Sequence, residues 1–407
     1  MKTAGIIAEY NPFHNGHLYQ VEQLRLRTGA DYVIAVMSGD FVQRGEPAIY
    51  DKYTRTRMAL NAGVDLVLEL PAAFASGSAE DFAACGVALL DRIGVTDLLC
   101  FGSECGCLTS LRRAAELLCE EPPAFQELLK ERIRQGDSFP KARAAAAAAL
   151  LPDAELLSAP NNILGIEYIK ALIRRRSAIE PFTILRNGSG YHDTDLPDAC
   201  RFASASAIRK AILEGNTDSC RSLMPEVPVP EGSPSPAALN ADDLSPLLHY
   251  RLLDLLHTGQ DLTAYADVSR ELADRIRRQI LDFDSYSGHI AALKTRQYTY
   301  TRISRALLHI LLGITHEQLD ACREMQYAPY ARLLGFRKKA GPLLTALKAR
   351  SEIPLITKTA DARNILTEEA YPMFLLDLHA SHIYQSLIYE KQKVRVRNEF
   401  TQSVVIL

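Results

Sequence analysis

Short aliphatic runs alternate with amphipathic stretches through the first hundred residues, and this alternation limits the fold more than any other feature. The runs have the apolar, β-branched composition of strands buried on both faces: Thr3–Ala8, Tyr32–Met37, Asp65–Leu70 and Asp97–Phe101. Apolar residues at three- and four-residue spacing predict helices between them, over Leu18–Thr28, Lys52–Ala62 and Ala79–Ile93. Because this order requires right-handed crossovers between parallel strands, we predict a doubly wound, Rossmann-like α/β sheet.

Helical patterns dominate after Leu108. We predict an inserted helical cap, then a further helix, a last strand and a closing helix: Thr109–Leu118, Pro123–Gln135, Lys141–Leu151, Asn161–Arg176, Pro181–Leu185 and Ala205–Glu214. A nucleotide-binding domain would thus cover residues 1–223, and a proline-rich linker residues 224–243. Residues 244–407 predict a mainly helical C-terminal domain, with an α/β remainder that contains Glu352–Thr357 and Ser403–Leu407.

Composition places the chain among globular proteins with more than one domain. It has 407 residues, 47% hydrophobic and 23% charged. No apolar run is long enough for a membrane span or a signal peptide, so we expect a cytoplasmic protein. The eight cysteines are scattered, which favours thiols over disulfides in that compartment. Cys100, Cys105 and Cys107 lack a fourth ligand at zinc-site spacing, and the sequence gives them no role.

The loop after the first predicted strand carries the strongest functional signal. It reads Glu9-Tyr-Asn-Pro-Phe-His-Asn-Gly-His17 and enters a helix at the carboxyl edge of the sheet, where α/β folds bind ligands. Gly16 lets the backbone approach a nucleotide, and the helix N-terminus attracts phosphate. His14 and His17 could donate hydrogen bonds to phosphate oxygens as negative charge grows on them. The alternatives are an exposed turn and a pair of metal ligands.

Other loops at the same edge also carry ligand-type residues. Ser204 and Ser206 open a helix, with Arg209 one turn later, which suits a phosphate grip, although Ser204 alone could be an ordinary N-cap. Gly102 follows the fourth strand, and Gly39–Pro47 follows the second. Arg55 and Arg57 could instead be solvated surface residues. His192 and Asp193 could form a catalytic dyad or be an exposed loop pair.

A basic segment between His289 and Arg350 suggests a nucleic-acid partner despite the net charge of −3. Aromatic residues interleave with its cations and could stack unpaired bases, although core tyrosines under a solvated helix surface are an equal alternative. These aromatic residues are Tyr298, Tyr300, Tyr327, Tyr330 and Phe336. Within the segment, Arg337, Lys338 and Lys339 are the residues that we predict to bind RNA.

The pairing of His14-x-Gly-His17 with Ser204-x-Ser206-x-x-Arg209 resembles HIGH-type nucleotidyltransferases, and Ser206 stands where many of them carry threonine. More narrowly, the stretches 5–17, 39–48 and 160–165 resemble the tRNA(Met) cytidine acetate ligase family over essentially the whole chain. The resemblance implies ATP-dependent activation of acetate as acetyl-adenylate. It then implies transfer of acetyl to N4 of the wobble cytidine in elongator tRNA(Met), with Mg²⁺ accompanying ATP.

The resemblance also implies site residues. His14, His17 and Arg209 would be catalytic, and Asn161 is an alternative to Asn162. The ATP-binding residues implied are Ile7, Ala8, Glu9, Tyr10, Asn11, Pro12, Phe13, His14, Asn15, Gly16, His17, Leu18, Tyr19, Gln20, Gly102, Asn162, Arg186, Ser204 and Ser206. Two other functions fit the same motifs: an adenylyltransferase acting on a small phosphate ester, and a nucleotide-sensing RNA-binding module without catalysis.

Overall fold

The computed structural model describes residues 1–137, 139–151, 153–186, 202–229, 235–295 and 297–407. The predicted pair His192–Asp193 lies outside them. The described strands are β1 Thr3–Ala8, β2 Tyr32–Ser38, β3 Phe41–Val42, β4 Glu46–Pro47, β5 Leu66–Leu70, β6 Leu98–Ser103, β7 Glu180–Leu185, β8 Ala331–Phe336, β9 Leu355–Ile356 and β10 Val405–Ile406.

Helices make up most of the remainder. Those of the first half are α1 Asn15–Thr28, α2 Lys52–Asn61, α3 Ala72–Ala75, α4 Ala79–Arg92, α5 Leu108–Glu120, α6 Pro123–Arg134, α7 Phe139–Ala148, α8 Pro160–Arg175, α9 Ala205–Leu213 and α10 Thr217–Cys220. Those of the second half are α11 Ser245–Thr258, α12 Arg270–Gln279, α13 Tyr286–Leu293, α14 Tyr300–Leu312, α15 His316–Glu324, α16 Gly341–Arg350, α17 Ala362–Ile365 and α18 Tyr371–Gln392. In the described part of the chain, no helix is long and apolar enough to cross a membrane.

The five predicted strands form one parallel sheet in the order β5-β2-β1-β6-β7. β1 pairs with β2 on one side and with β6 on the other, so the strand order reverses between β1 and β6. This reversal is the topological switch point at which doubly wound sheets bind ligands. The predicted fold class is confirmed.

Alternating residues of β1 pack into two separate apolar cores, as a sheet covered on both faces requires. Ile7 belongs to the core that contains Phe82 of α4 and Ile169 of α8. Ile6 belongs to the core that contains Leu24 of α1 and Ile208 of α9. The sheet is therefore sandwiched between helices, and its carboxyl edge stays open for the strand-end loops.

The C-terminal half is mainly helical, as predicted, but its strands extend the N-terminal sheet. β8 pairs antiparallel with β5, and β9 and β10 both pair with β8. Two of these strands fall in the predicted α/β remainder, whereas β8 was not predicted because it lies within the basic segment. The division of the chain at residues 224–243 stays a prediction, but the sheet contains strands from both sides of it.

A buried ion cluster joins the two halves, and we define it as Asp40, Lys52, Glu69, Arg332 and Glu399. Lys52 Nζ lies 2.8 Å from Glu69 Oε1, 3.1 Å from Glu399 Oε2 and 3.8 Å from Asp40 Oδ2. Arg332 Nη1 lies 3.1 Å from Glu69 Oε2, and Nη2 pairs with Glu399. Because buried charges are stable only when paired, the cluster locks α2 and β5 to β8 and the C-terminal segment.

Candidate active site

His14 and His17 fold the start of α1 into a compact capping box. His14 is the N-cap, its Nδ1 accepts a hydrogen bond from the Gly16 backbone N–H at 3.0 Å, and His17 Nδ1 accepts one from the His14 N–H at 3.2 Å. The two rings stack with centroids 3.8 Å apart. In both rings Nδ1 is the acceptor, so in the neutral tautomer Nε2 carries the proton and is the donor.

Burial keeps both imidazoles neutral. It lowers the pKa of His14 to about 3, helped by the positive charges of Arg186 and Arg209. Burial also lowers the pKa of His17 well below its usual value, with His14 and Arg186 as further causes. The pair therefore presents two Nε2–H donors at neutral pH without a proton having to be taken up.

Gly16 is required by the position of the His14 ring. A Cβ atom at Gly16 would lie 2.8 Å from His14 Cε1, closer than a carbon–carbon contact allows. His14 is packed in place and only 6% exposed, so the ring could not move aside without loss of the cap. The spacing His-x-Gly-His is therefore a packing requirement as well as a motif.

Arg55 holds the loops that follow β1 and β2. It is fully buried, and its guanidinium donates to the carbonyl oxygens of Tyr50, Glu9, Ser38 and Gly39. The alternative that Arg55 is a solvated surface residue is wrong, because it satisfies backbone carbonyls that would otherwise be buried without partners.

The serine–arginine motif at α9 meets the histidine loop directly. Ser204 Oγ accepts the Ala207 N–H at 3.0 Å and caps the helix. Arg209 donates to the carbonyl of Asn11 at 2.8 Å and to Ser206 Oγ at 3.2 Å. The two motifs, almost 200 residues apart in sequence, therefore form a single site in which the N-termini of α1 and α9 are neighbours.

The loop after β6 closes the opposite side of the site. Glu104 accepts hydrogen bonds from the backbone N–H groups of Asn161 and Asn162 at 3.2 and 2.8 Å, and Asn162 Oδ1 accepts the N–H groups of Glu104 and Cys105. Asn162 is therefore engaged in holding this loop to α8. The neighbouring Asn161 faces the cleft and accepts a hydrogen bond from Arg186 at 3.4 Å.

These elements surround a cleft of about 240 Å³ at the switch point. Most of the predicted site residues line it: Ile7, Ala8, Glu9, Tyr10, Asn11, His14, Gly16, His17, Gln20, Gly102, Arg186, Ser204, Ser206 and Arg209. Others implied by the resemblance support the loop from behind and do not line the cleft: Pro12, Phe13, Asn15, Leu18, Tyr19 and Asn162. Phe13, for example, is fully buried, with its ring 5.4 Å from that of His17.

The apolar wall of the cleft was not predicted. Phe82, Phe101, Leu164, Tyr168 and Phe202 line it, together with the polar Gln43 and Arg44 of the Gly39–Pro47 loop. Such a wall suits a planar base, because aromatic and aliphatic groups bury its faces. The signal in the sequence was Phe101, which stands directly before Gly102 at the end of a strand.

Glu9 brings a carboxylate into the cleft. Its Oε1 accepts the Gln43 N–H at 2.9 Å, and burial raises the pKa of its carboxyl above the usual value. Among the described residues there is no group of three or more His, Cys, Asp or Glu side chains that could hold a metal ion. Every cysteine in the described ranges is a free thiol, and burial raises the pKa of Cys100 to about 12.

The predicted RNA-binding residues lie elsewhere. β8 runs antiparallel to β5 and places Phe336 beside Leu66, so Arg337, Lys338 and Lys339 follow at the amino edge of the sheet. A six-residue strand spans about 20 Å, which separates them from the cleft by about that distance. Lys339 Nζ lies 3.1 Å from the buried carboxylate of Asp65. RNA binding by these residues stays a prediction.

The wider basic segment is not a continuous surface. Arg332 is only 4% exposed and belongs to the buried ion cluster, and Arg305 and Arg323 pair with Asp267 and Asp81 at 2.9 Å. Tyr298 and Tyr330 are buried in the core. Burial removes Tyr298 and Tyr330 from any stacking surface, whereas Tyr300 is 42% exposed, so base stacking by this segment stays a prediction.

The switch-point cleft, the histidine capping box and the serine–arginine helix start together define a nucleotidyltransferase. The family model described as HIGH Nucleotidyl Transferase matches residues 1–399. A relative from Acetivibrio thermocellus, named tRNA(Met) cytidine acetate ligase, is 38% identical over 100% of both chains. One from Caldanaerobacter subterraneus subsp. tengcongensis with the same name is 41% identical over 94% of this chain and 95% of its own. The chain belongs to the tRNA(Met) cytidine acetate ligase family.

Two solved structures are similar to this chain over its full length. The crystal structure of apo TmcAL from Thermotoga maritima has a TM-score of 0.92 and 31% identity over 100% of both chains. A second crystal form of the same protein, bound with alpha-thio ATP, has a TM-score of 0.90 at the same identity and coverage. The similarity covers both halves of the chain.

Proposed function

We propose that this protein uses ATP to activate acetate as acetyl-adenylate and then acetylates N4 of the wobble cytidine of elongator tRNA(Met). The observation that carries the proposal is the junction of the histidine and serine–arginine motifs in one cleft, where Arg209 donates to the Asn11 carbonyl. The names of the relatives supply the acceptor, and the ATP analogue on the Thermotoga protein supplies the nucleotide.

ATP would lie with its base against the apolar wall and its phosphates at the N-termini of α1 and α9. Backbone N–H groups at helix N-termini favour anions, and Arg186 and Arg209 add positive charge. Magnesium would accompany ATP and neutralise phosphate charge. Glu9 is the one carboxylate among the described residues that line the cleft, and Mg²⁺ commonly takes one or two protein carboxylates besides phosphates and water.

In the first step a carboxylate oxygen of acetate attacks the α-phosphorus and pyrophosphate leaves. Negative charge shifts onto the leaving pyrophosphate and the phosphoryl oxygens, and the Nε2–H groups of His14 and His17 are the donors that meet it. Because both rings are neutral and fixed by the capping box, they need no reorganisation as the charge develops. Their role is stabilisation of the transition state rather than proton removal.

In the second step the N4 amine of cytidine attacks the acetyl carbonyl carbon and AMP leaves, with one proton lost from nitrogen. Adenylation makes this possible because it converts a carboxylate oxygen into a good leaving group. Positioning of the three reactants supplies the remaining rate, so no covalent enzyme intermediate is required.

The test is to incubate the purified protein with ATP, acetate and elongator tRNA(Met), and to measure N4-acetylcytidine by mass spectrometry and pyrophosphate release in parallel. The proposal expects release that depends on acetate and product that depends on all three. Release without acetate would instead indicate an adenylyltransferase. Binding of ATP and tRNA with neither product would indicate a non-catalytic module.

A further inference from the structure

A second cavity lies on the other side of the Gly39–Pro47 loop, between α2, the chain from Ser235 to Ala237, and the C-terminal end of α18. Its volume is about 500 Å³. Three guanidinium groups line it: Arg57 from α2, and Arg395 and Arg397 from the segment that follows α18. None belongs to the nucleotide cleft or to the basic segment singled out by sequence.

These three arginines face the cavity without counter-ions of their own. Among the described residues, no carboxylate oxygen lies within ion-pair distance of Arg57, Arg395 or Arg397, and their side chains make no hydrogen bond. Burial lowers the pKa of Arg57, and the positive charge of Arg397 lowers it further against the opposing effect of Asp51. Like charges are therefore held close together at an opening to solvent.

The carboxylates that also line the cavity are committed to other partners. Asp51 caps α2 through the N–H groups of Tyr53 and Thr54. Asp40 and Glu399 are 5% and 1% exposed and belong to the buried ion cluster. Lys52 and Arg332 offset two of the three carboxylates of the cluster, Asp40, Glu69 and Glu399. With Asp51, two negative charges remain against the three arginines, so the arginines are in excess at the opening.

The basic wall is fixed by hydrogen bonds to the protein backbone. Gln385 of α18 donates to the carbonyl of Arg397 at 3.3 Å and to Glu399 Oε1 at 3.1 Å. Gln392 donates to the carbonyl of Ser235 at 3.0 Å. These bonds hold the backbone of the segment in place, so only the arginine side chains have to be ordered when an anion binds.

One loop separates this cavity from the nucleotide cleft. Asp40 lines the second cavity, while Gln43 and Arg44 line the cleft. Three residues span at most about 11 Å, so the two sites lie close together at the carboxyl edge of the sheet. This contrasts with Lys338 and Lys339 at the amino edge, about 20 Å from the cleft.

We propose that the second cavity holds the phosphate backbone of the RNA whose cytidine enters the nucleotide cleft, with Arg57, Arg395 and Arg397 as the phosphate contacts. Guanidinium groups suit phosphate because they donate two parallel hydrogen bonds. The inference rests on the proposed function, since it takes the RNA substrate from there.

The test measures binding of an elongator tRNA(Met) transcript at several salt concentrations. The variant Arg395→Gln/Arg397→Gln removes two exposed cations, and Arg57→Gln removes the third. Each phosphate contact contributes roughly 0.7–0.9 to the slope of the logarithm of the binding constant against the logarithm of the salt concentration. Each lost contact should therefore weaken tRNA binding about fivefold to eightfold more at 0.1 M salt than at 1 M salt. Acetate-dependent exchange of pyrophosphate into ATP, which needs no RNA, should be unchanged.

Lys393→Ala is the matched control. It removes a cation from the same segment, but Lys393 does not line the cavity and pairs with Glu390 at 2.7 Å. Lys338→Ala tests the opposite edge. We expect little change in tRNA binding for either variant, in contrast to the sequence-based prediction that Lys338 contacts RNA. Loss of tRNA binding in Lys338→Ala with none in the arginine variants would overturn it in favour of the amino edge.

The failures of the two proposals are distinguishable. Wild-type protein that binds no tRNA overturns both, whereas wild-type binding with unchanged arginine variants overturns only the inference. Vesicles of phosphatidylglycerol serve as a second probe. If the arginine variants lose vesicle binding but keep tRNA binding, the cavity serves a membrane surface and the inference is wrong.

Discussion

At the scale of single residues, the histidine pair determines what the cleft can do. We expect His14→Ala and His17→Ala each to lower acetate-dependent pyrophosphate exchange by about 10²–10³-fold, because each removes one pre-organised donor to the transition state. Binding of tRNA should persist. The measurement is the exchange rate at saturating ATP and acetate, with His316→Ala, an exposed histidine at the start of α15, as the control. Unchanged rates in both cleft variants would contradict the proposed chemistry.

The same residues make stability depend on pH. The pKa of His14 is about 3 in the folded protein and about 6.5 in an unfolded chain. The unfolded state therefore binds more protons between these values, and the free energy of unfolding falls as pH drops below about 6.5. For one histidine the loss approaches about 1.4 kcal/mol per pH unit.

Urea unfolding at pH 7.5 and pH 5.5 checks this dependence. We expect the wild type to lose more stability between the two conditions than His14→Asn, which lacks the titrating group. Equal losses in the two proteins would mean that His14 is charged or accessible in the folded state.

At the scale of elements, the buried ion cluster holds α2 and β5 against β8 and the C-terminal segment. Although burial alone would raise it, Lys52 and Arg332 hold the pKa of Glu399 at about 2. Lys52→Met should cost about 3–5 kcal/mol in the free energy of unfolding, because it leaves Glu69 and Glu399 short of a buried counter-charge. Chemical unfolding measures the change.

Lys348→Met on the exposed side of α16 is the matched control and should stay within about 0.5 kcal/mol of the wild type. If Lys52→Met behaves like this control, the two halves are held together by apolar packing instead.

Local sequence patterns predict some of the elements and miss others. The five parallel strands were predictable because each is a short apolar run that ends at a loop with its own turn signals, and the histidine loop was predictable because it follows the first of them. β8 was not predicted, because Arg332 makes the run read as part of the basic segment, and no local pattern shows that this charge will be buried against Glu69 and Glu399. Arg55 was misread for the same reason: no local pattern shows that a cation will meet four backbone carbonyls.

At the scale of the whole molecule, the sheet and the ion cluster cross the predicted boundary at residues 224–243. We therefore expect the chain to unfold as one unit rather than as two domains. Hydrogen exchange followed by mass spectrometry should give peptides from β1, β5 and β8 the same opening free energy. Earlier opening of β8, with β1 still protected, would show that the C-terminal half is an independent unit.

The hydrogen bonds between Glu104 and the start of α8 have a consequence for how members of the family can diverge. They bring the two ends of a long excursion, which contains α5, α6 and α7, to within hydrogen-bonding distance of each other. Because loop-closure entropy grows only slowly with length, evolution can lengthen or shorten this excursion at small entropic cost, as long as the buried Phe125 of α6 and Ala146 of α7 keep their packing. The geometry at Gly102 and Asn161 would be inherited unchanged, and this excursion is where new specificity can arise without risk to the chemistry.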